Sequence, residues 1–329
     1  MKYYGILLSF FLLACGTEQV QKEQKSKIAQ LSELLLQNPN DLALLQKRKQ
    51  IFLDRGNLEA AMMDQELIVS LDSSNHEFLY ELAKMQYQIA SNGRPSFYKS
   101  SLKNLTKNLE SQETHIATLL LRGELYFLYG KHKESLEDLN NVLRVNPHEA
   151  KAYYFKGLNF KELGDFKKAI SQLQTTVEQD PFHVYAYEEL AFIYANLGNP
   201  IAELYFDNAL SVDSSNVQIW YRKGKYLQDL DRLNDAEKCY KAMLRRDNFN
   251  QFANYNLGYI NWKRQEYEMA ANYFSDAIYT NPEYADAYFA RGLCFKELGN
   301  IPQARVDFQS ALRLDQTDEQ AKIELNNLP

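Results

Sequence analysis

The sequence has few of the residues that interrupt regular structure. Its 329 residues include only 13 Gly, 8 Pro and 3 Cys. Scarce Gly and Pro disfavour an all-β architecture, because such folds need many tight turns. The apolar run at 6–13 is only eight residues long, whereas a membrane-spanning helix needs about 20. The net charge of −6 argues against a nucleic-acid binder, since neutralising phosphates requires a basic face.

Motifs for catalysis or metal binding are also missing. None of the five His is spaced i, i+4 with another on a helix, no Cys pair has zinc-ligand spacing, and there is no phosphate loop or G-x-S-x-G. We expect the His near unit boundaries to be solvated loop residues, and Glu188 and Glu189 to be solvated helix surface. The sequence therefore predicts a protein that is not an enzyme, with no catalytic residue, metal or small-molecule cofactor.

The N-terminus has the pattern of an export signal. Lys2 precedes the apolar run, which ends in Leu12-Leu13-Ala14-Cys15. This end resembles the bacterial lipobox, in which a Cys is lipidated and becomes the mature N-terminus. The alternative is a soluble secretory signal with an incidental Cys.

The lipobox resemblance implies that residues 1–14 are removed and that Cys15 carries acyl chains. Residues 15–26 would then be the lipidated Cys and a flexible tether, because Thr17 to Lys27 is polar and has no apolar period. No Asp follows the Cys, which favours the outer membrane of a bacterial envelope. More than one acyl chain is needed for stable anchoring.

Small residues recur along the chain with one period. Successive Gly or Ala residues in the first column are 33 or 34 residues apart, and small residues at fixed places let two helices approach closely. Such a period indicates stacked helix pairs. Ala191 fills the one gap in the Gly column, and Ser135 begins the Ala column. The other members are Gly123, Gly157, Gly224, Gly258 and Gly292 in the first column, and Ala169, Ala202, Ala236, Ala270 and Ala304 in the second.

These units resemble the tetratricopeptide repeat. The resemblance implies an all-α fold, a right-handed superhelical solenoid of about eight helix-turn-helix pairs with a capping helix at each end. Residues 27–115 are diverged helices of the same type, and residues 319–329 form the C-terminal capping helix. Cys239 and Cys294 lie in different repeats and are expected to be buried free thiols. The six clear units are 116–149, 150–183, 184–216, 217–250, 251–284 and 285–318.

The family geometry lines a concave groove with the first helices of the pairs. Five aromatic residues of the C-terminal half are expected to form one ladder there, because Tyr and Trp give large contact area at low entropic cost. The alternative is that some of these rings pack between repeats. The full groove set is Tyr154, Phe192, Tyr221, Lys225, Tyr255, Tyr259, Trp262 and Phe289, and the ladder is Tyr221, Tyr255, Tyr259, Trp262 and Phe289.

The family's chaperone-binding members hold a C-terminal carboxylate with groove Lys and Asn residues. This sequence lacks that set, since Tyr154, Tyr221 and Tyr255 occupy places where it requires Lys. Lys161, Arg222, Lys225 and Lys296 remain available for acidic groups.

The leading hypothesis is a membrane-anchored scaffold or adaptor that holds an extended segment or helix of an unidentified protein partner. Envelope assembly, secretion or motility machinery is the expected setting. Two alternatives stay open: a glycan-capturing outer-membrane lipoprotein, and a purely structural subunit of a larger envelope complex. Fold alone does not decide among them.

Overall fold

The computed structural model describes residues 27–112 and 114–329. The chain divides into two compact units, Met1–Gln172 (unit 1) and Leu173–Pro329 (unit 2), and each is described by itself. The predicted signal peptide, Cys15 and the tether lie outside the described residues. No helix in the described ranges is both long and apolar enough to cross a membrane.

Unit 1 is a row of helices joined by short turns. Neighbouring helices contact each other as hairpins, α2 with α3, α4 with α5 and α6 with α7. The helices are α1 at 27–37, α2 Leu42–Asp54, α3 Leu58–Leu71, α4 His76–Ser91, α5 Ser96–Ser111, α6 Ile116–Leu128, α7 His132–Val145, α8 Ala150–Glu162 and the start of α9 Phe166–Gln179.

Unit 2 repeats the same hairpin. It contains the end of α9 and then α10 Val184–Asn196, α11 Ala202–Val212, α12 Val217–Asp229, α13 Leu233–Leu244, α14 Gln251–Lys263, α15 Tyr267–Thr280, α16 Ala285–Glu297, α17 Ile301–Leu314 and α18 Glu319–Asn326. Across the described ranges, α2 to α17 are sixteen helices in sequence, the number that eight pairs require, with α1 before them and α18 after them. The predicted all-α repeat of about eight pairs with flanking helices is confirmed.

Glycine allows the turn inside most pairs. Gly130 and Gly299 have φ angles of 67° and 74°, a left-handed conformation that only glycine adopts without strain. After the turn, Asn300 caps α17 by accepting a hydrogen bond from the backbone N–H of Gln303. Asp231 and Gln265 hold the same place in their pairs with φ angles of 58° and 62°.

The small-residue columns set the spacing of the two helices in a pair. A methyl group added at Gly258 would lie 2.7 Å from the Phe274 ring, and one added at Gly292 would lie 2.7 Å from the Phe308 ring. At Gly123 in unit 1 the nearest atoms, at 3.1 Å, belong to the Leu139 side chain. Side chains of the facing helix therefore occupy the space that a side chain at these Gly positions would need. The five Ala residues of the second column have no exposed surface.

A bidentate Arg–Asp pair that the sequence did not reveal ties the first helix of a pair to the second. Arg122 donates to both carboxylate oxygens of Asp138 at 2.7 Å, and Arg291 donates to both oxygens of Asp307 at 2.8 Å. The two Asp side chains are only 4% and 2% exposed. Such parallel N–H···O bonds fix orientation as well as charge. Arg48 and Asp64 form a third pair of this kind.

The two later cysteines lie in the interior. Cys239 and Cys294 are both free and buried, as expected. Burial raises the pKa of the Cys239 thiol to about 11 and that of the Cys294 thiol to about 12. Both thiols therefore stay protonated and act as small apolar side chains.

Candidate functional site

The candidate site lies on the first helices of the pairs in unit 2. Phe192 is on α10, Tyr221 and Lys225 are on α12, and Tyr255, Tyr259 and Trp262 are on α14, with Phe289 on α16. Tyr154 lies on α8 of unit 1, where its ring contacts that of Phe155 at a centroid distance of 5.4 Å.

Four rings of unit 2 form a continuous series of contacts, which we call the aromatic surface. The Tyr221 and Phe252 centroids are 5.8 Å apart, Phe252 and Tyr284 are 6.3 Å apart, and Tyr284 and Tyr255 are 5.1 Å apart. The Phe252 side chain is 46% exposed. Three consecutive helix pairs therefore contribute to one surface, and the Phe252 ring on it is exposed to solvent.

Two members of the aromatic surface, Phe252 and Tyr284, are not among the residues predicted from the sequence. Phe252 precedes Tyr255 by three residues on α14, and residues at i and i+3 share a helix face. This spacing in the sequence would have been enough to place Phe252 on the same face as Tyr255. Tyr284 is the N-cap residue of α16, so helix periodicity does not apply to it, and only the three-dimensional structure brings it to the surface.

Tyr255 joins the aromatic surface to the interior. Its ring also contacts that of Phe274 at 5.4 Å. Burial raises the pKa of Tyr255 to about 12, with smaller contributions from Asp286 and Tyr259. Burial likewise raises the pKa of Tyr284. Both phenols keep their proton at neutral pH and can donate a hydrogen bond to a ligand.

The other rings of the predicted ladder lie elsewhere. Tyr259 stacks on Trp262 with centroids 6.4 Å apart, and the Lys263 ammonium lies 5.6 Å from the first ring and 5.9 Å from the second. Trp262 also packs on the interior of the α15 and α16 region. Its indole N–H is buried and has no acceptor among the described residues.

Phe289 belongs to the packing between helices. Its ring lies 5.7 Å from that of Phe308 and contributes to a cluster that includes Ala304. Ring contacts thus divide the five expected ladder residues into three groups. A variant at Trp262 or Phe289 would disturb the interior, so it would be a poor probe of binding.

A pocket of about 280 Å³ adjoins the aromatic surface and shares Tyr221 with it. Phe192, which is 45% exposed, supplies an apolar wall. Arg222 and Lys225 also line the pocket, together with Asp229, which pairs with Lys225 at 3.4 Å. The pocket therefore offers an apolar space beside basic groups, and it brings three of the predicted groove residues together.

Glu188 is buried, which contradicts the expectation of a solvated helix surface. The residue is only 7% exposed, and its Oε1 atom has no hydrogen-bond donor among the described residues. Arg222 lies 3.6 Å from Oε2. Burial raises the pKa of Glu188, and the nearby Arg222 opposes that shift. The sequence does not show this burial, because an acidic residue on a helix is expected to face solvent.

Two of the five histidines, His115 and His183, contradict the expectation of solvated loop residues. His115 contacts the Tyr80 ring at 5.4 Å and bonds Thr118 at 2.6 Å, and His183 accepts from the backbone N–H of Ala186 at 3.2 Å. These two are half-buried helix-start residues and not solvated loops. Burial lowers the pKa of His183. Within the described ranges no group of His, Cys, Asp or Glu is arranged to hold a metal ion.

Segments of the chain match a known repeat family. Residues 156–210, 221–279 and 255–319 match the family model described as "Tetratricopeptide repeat". The human protein named tetratricopeptide repeat protein 6 is 27% identical over 165 residues, which is 49% of this chain and 32% of that protein. The soybean Hsp70-Hsp90 organizing protein 1 is 26% identical over 166 residues, or 48% of this chain and 28% of that protein. Both matches span less than a third of the relative's length.

A solved structure supports the fold over more of the chain. The C-terminal part of a repeat-containing protein from Cytophaga hutchinsonii superposes with a TM-score of 0.65 and covers 76% of this chain and 99% of that one. Sequence identity is 16%, so this likeness concerns the fold alone.

Proposed function

We propose that this chain, whose matched segments are tetratricopeptide repeats, holds a segment of a partner protein on the aromatic surface of unit 2. The fold is that of a protein-interaction scaffold. The observation that carries the proposal is the unbroken ring contact from Tyr221 through Phe252 to Tyr284 and Tyr255. Rigid aromatic side chains that are partly exposed supply contact area at low entropic cost, and such residues dominate binding energy.

The chemistry of the neighbouring pocket suggests what the bound segment carries. Phe192 and Tyr221 form apolar walls, and the basic side chains of Arg222 and Lys225 also line the pocket. An apolar side chain followed by an acidic one satisfies both features. The basic charge of the pocket would guide the segment's register more than it would add affinity.

The membrane anchor belongs to the same proposal. Cys15 would carry the acyl chains and residues 16–26 would link them to the helices, which places the scaffold in a bacterial cell envelope at the outer membrane. The partner would then be part of envelope assembly, secretion or motility machinery. Support comes from the lipobox-like residues Leu12 to Cys15.

Photo-crosslinking tests the binding surface. A photoreactive amino acid at Lys225 in the full chain, expressed in its host cells, is expected to give a defined crosslinked partner band that mass spectrometry identifies. Replacing Tyr221 and Phe252 with Ala should reduce that band at least about tenfold, because each is a partly exposed ring of a contact surface.

A matched control removes exposed apolar side chains elsewhere in unit 2. Leu204 and Met269 are 54% and 50% exposed and lie on second helices of their pairs. The double variant Leu204→Ala with Met269→Ala should leave the crosslink intact. If both double variants behave alike, the aromatic surface is not where the partner binds. Labelling with an alkyne fatty acid, compared with Cys15→Ser, tests the anchor separately.

A further inference from the structure

A row of lysines marks a second surface, in unit 1. Lys99, Lys103 and Lys107 follow one another at four-residue intervals on α5, and all three are exposed. Residues four apart share a helix face and are separated by about 6 Å along the axis. The three ammonium groups therefore form a line about 12 Å long.

A fourth lysine and two less polar side chains complete the surface. Lys131, in the turn after α6, and Tyr126, on α6, line a cavity of about 510 Å³ together with Leu102 and the three lysines of α5. The Lys131 ammonium lies 5.7 Å from the centre of the Tyr126 ring. We call Lys99, Lys103, Lys107 and Lys131 the lysine surface.

The positive charge of the lysine surface is not neutralised by acidic side chains of unit 1. Elsewhere in the unit, Lys49 pairs with Glu81 at 2.6 Å and Lys151 pairs with Glu124 at 2.8 Å. None of the four lysines forms an ion pair with any residue in the described ranges. Glu110 is the one acidic residue that lines the cavity. The surface is therefore open to an external anionic group.

The surroundings of the lysines select among anionic ligands. An anionic bilayer would need apolar side chains to insert beside the charges, but no large hydrophobic side chain of the described part of α5 is well exposed. A compact phosphate is best gripped by the planar fork of Arg, and the nearby Arg122 guanidinium is occupied by Asp138. A linear charge row beside Leu102 and Tyr126 matches a longer ligand with both acidic and apolar groups.

We propose that the lysine surface binds an acidic amphipathic helix of a partner protein. Carboxylates at every fourth residue of that helix face Lys99, Lys103 and Lys107, because both helices share the same 6 Å repeat. An aliphatic side chain of the partner covers Leu102 and Tyr126. This inference rests on the proposed scaffold function but uses a different unit and a different chemistry from the aromatic surface.

A synthetic peptide provides the probe. It has about 20 residues, long enough for appreciable helix, with Glu at every fourth position and Leu beside each Glu, and a matched peptide carries Gln in place of Glu. Fluorescence anisotropy with the full chain measures Kd. Wild type should prefer the Glu peptide, and the preference should weaken as salt rises, because exposed charge pairs are screened.

Two triple variants make the test specific. Lys99→Gln, Lys103→Gln and Lys107→Gln together should weaken binding of the Glu peptide about tenfold or more, since each exposed pair adds modestly. The control combines Lys47→Gln, Lys133→Gln and Lys167→Gln, three exposed lysines of unit 1 that do not line this cavity. The control should change Kd less than about threefold, as expected when only net charge is altered.

Several outcomes would overturn the proposal. They are equal binding of the Glu and Gln peptides, equal losses in the two triple variants, or no binding of the Glu peptide. Binding of phosphatidylglycerol vesicles or of inorganic pyrophosphate through the same three lysines, without binding of the Glu peptide, would assign the surface to a membrane or a small anion. Changing Tyr221 and Phe252 to Ala should leave peptide binding unaltered, so failure here is separable from failure of the aromatic surface.

Discussion

Unit 1 and unit 2 are built from the same helix pair but present different chemistry to solvent. Residues 1–172 contain 22 Lys and Arg against 20 Asp and Glu, whereas residues 173–329 contain 15 against 23. The first, more basic unit carries the lysine surface, and the second carries the aromatic surface. The surfaces of the two units can differ in this way because each helix pair needs only its neighbours for stability.

The interiors of the two units differ at one place that matters for packing. The small Gly of the first helix faces Leu139 in unit 1, but in unit 2 it faces an aromatic ring, that of Tyr240, Phe274 or Phe308. The bidentate Arg–Asp pair, in contrast, occurs in both. Equivalent substitutions in the two units should therefore have similar effects at the Arg–Asp pair and different effects at the Gly position.

The largest effect on stability is expected from removing the Arg side chain of a buried Arg–Asp pair. Arg291→Ala leaves Asp307 charged and buried and should lower the free energy of unfolding of its repeat by about 3 kcal/mol. Arg122→Ala should cost a similar amount, because Asp138 is equally buried. Native-state hydrogen exchange measures each repeat separately.

The double variant Arg291→Ala with Asp307→Ala serves as the control. It should cost less than Arg291→Ala alone, because no charge is left without a partner. Unequal losses for Arg122→Ala and Arg291→Ala would show that the pair is not equivalent in the two units.

A smaller effect is expected at the divergent position. Gly258→Ala places a methyl group 2.7 Å from a Phe274 ring carbon, and such overpacking should cost about 1–3 kcal/mol. Gly123→Ala meets the more adaptable Leu139 at 3.1 Å, and the helix preference of Ala over Gly, about 1 kcal/mol, should offset the contact. Urea denaturation of the two variants gives the difference.

Replacing the partner ring checks the cause. Adding Phe274→Leu to Gly258→Ala gives unit 2 the side chain that unit 1 has, and the cost of the Ala substitution should largely disappear in that background. An unchanged cost would mean that the Phe274 ring is not what the added methyl group meets.

The sequence predicted those parts of the molecule that depend on the repeat period. The Gly and Ala columns, the left-handed Gly at turns such as Gly130, and the number of pairs all follow from short-range geometry repeated many times. When the pattern is weak in one repeat, the other repeats still show the period. The aromatic residues were recognised for the same reason, since Tyr221 and Tyr255 hold equivalent places in successive units.

Features that depend on contacts between distant residues were not predictable in this way. The Arg291–Asp307 pair joins residues sixteen apart, and no helical period links them. Tyr284 reaches the aromatic surface from a loop. Trp262 and Tyr259 share the aromatic character of their neighbours, but side-chain direction decides which ring packs inward. Periodicity identifies a face, and packing decides what remains exposed on it.

The smallest of the three effects concerns the buried acid of unit 2. Because burial raises the pKa of Glu188, its folded-state pKa lies above the unfolded value, and the residue lowers stability as pH rises through the folded pKa. Glu188→Gln should therefore be more stable than wild type by about 1 kcal/mol at pH 8, because burying a charged carboxylate costs more than burying a neutral amide.

The pH dependence distinguishes this account from one in which Arg222 stabilises the charge. The gain in Glu188→Gln should shrink as pH falls towards about 4, where the carboxyl is protonated in the folded state and increasingly so in the unfolded state. Urea denaturation at several pH values measures it, and the exposed Glu268→Gln on α15 should show no comparable trend. A wild type that is more stable than Glu188→Gln at pH 8 would mean that the Arg222 attraction at 3.6 Å outweighs the cost of burial.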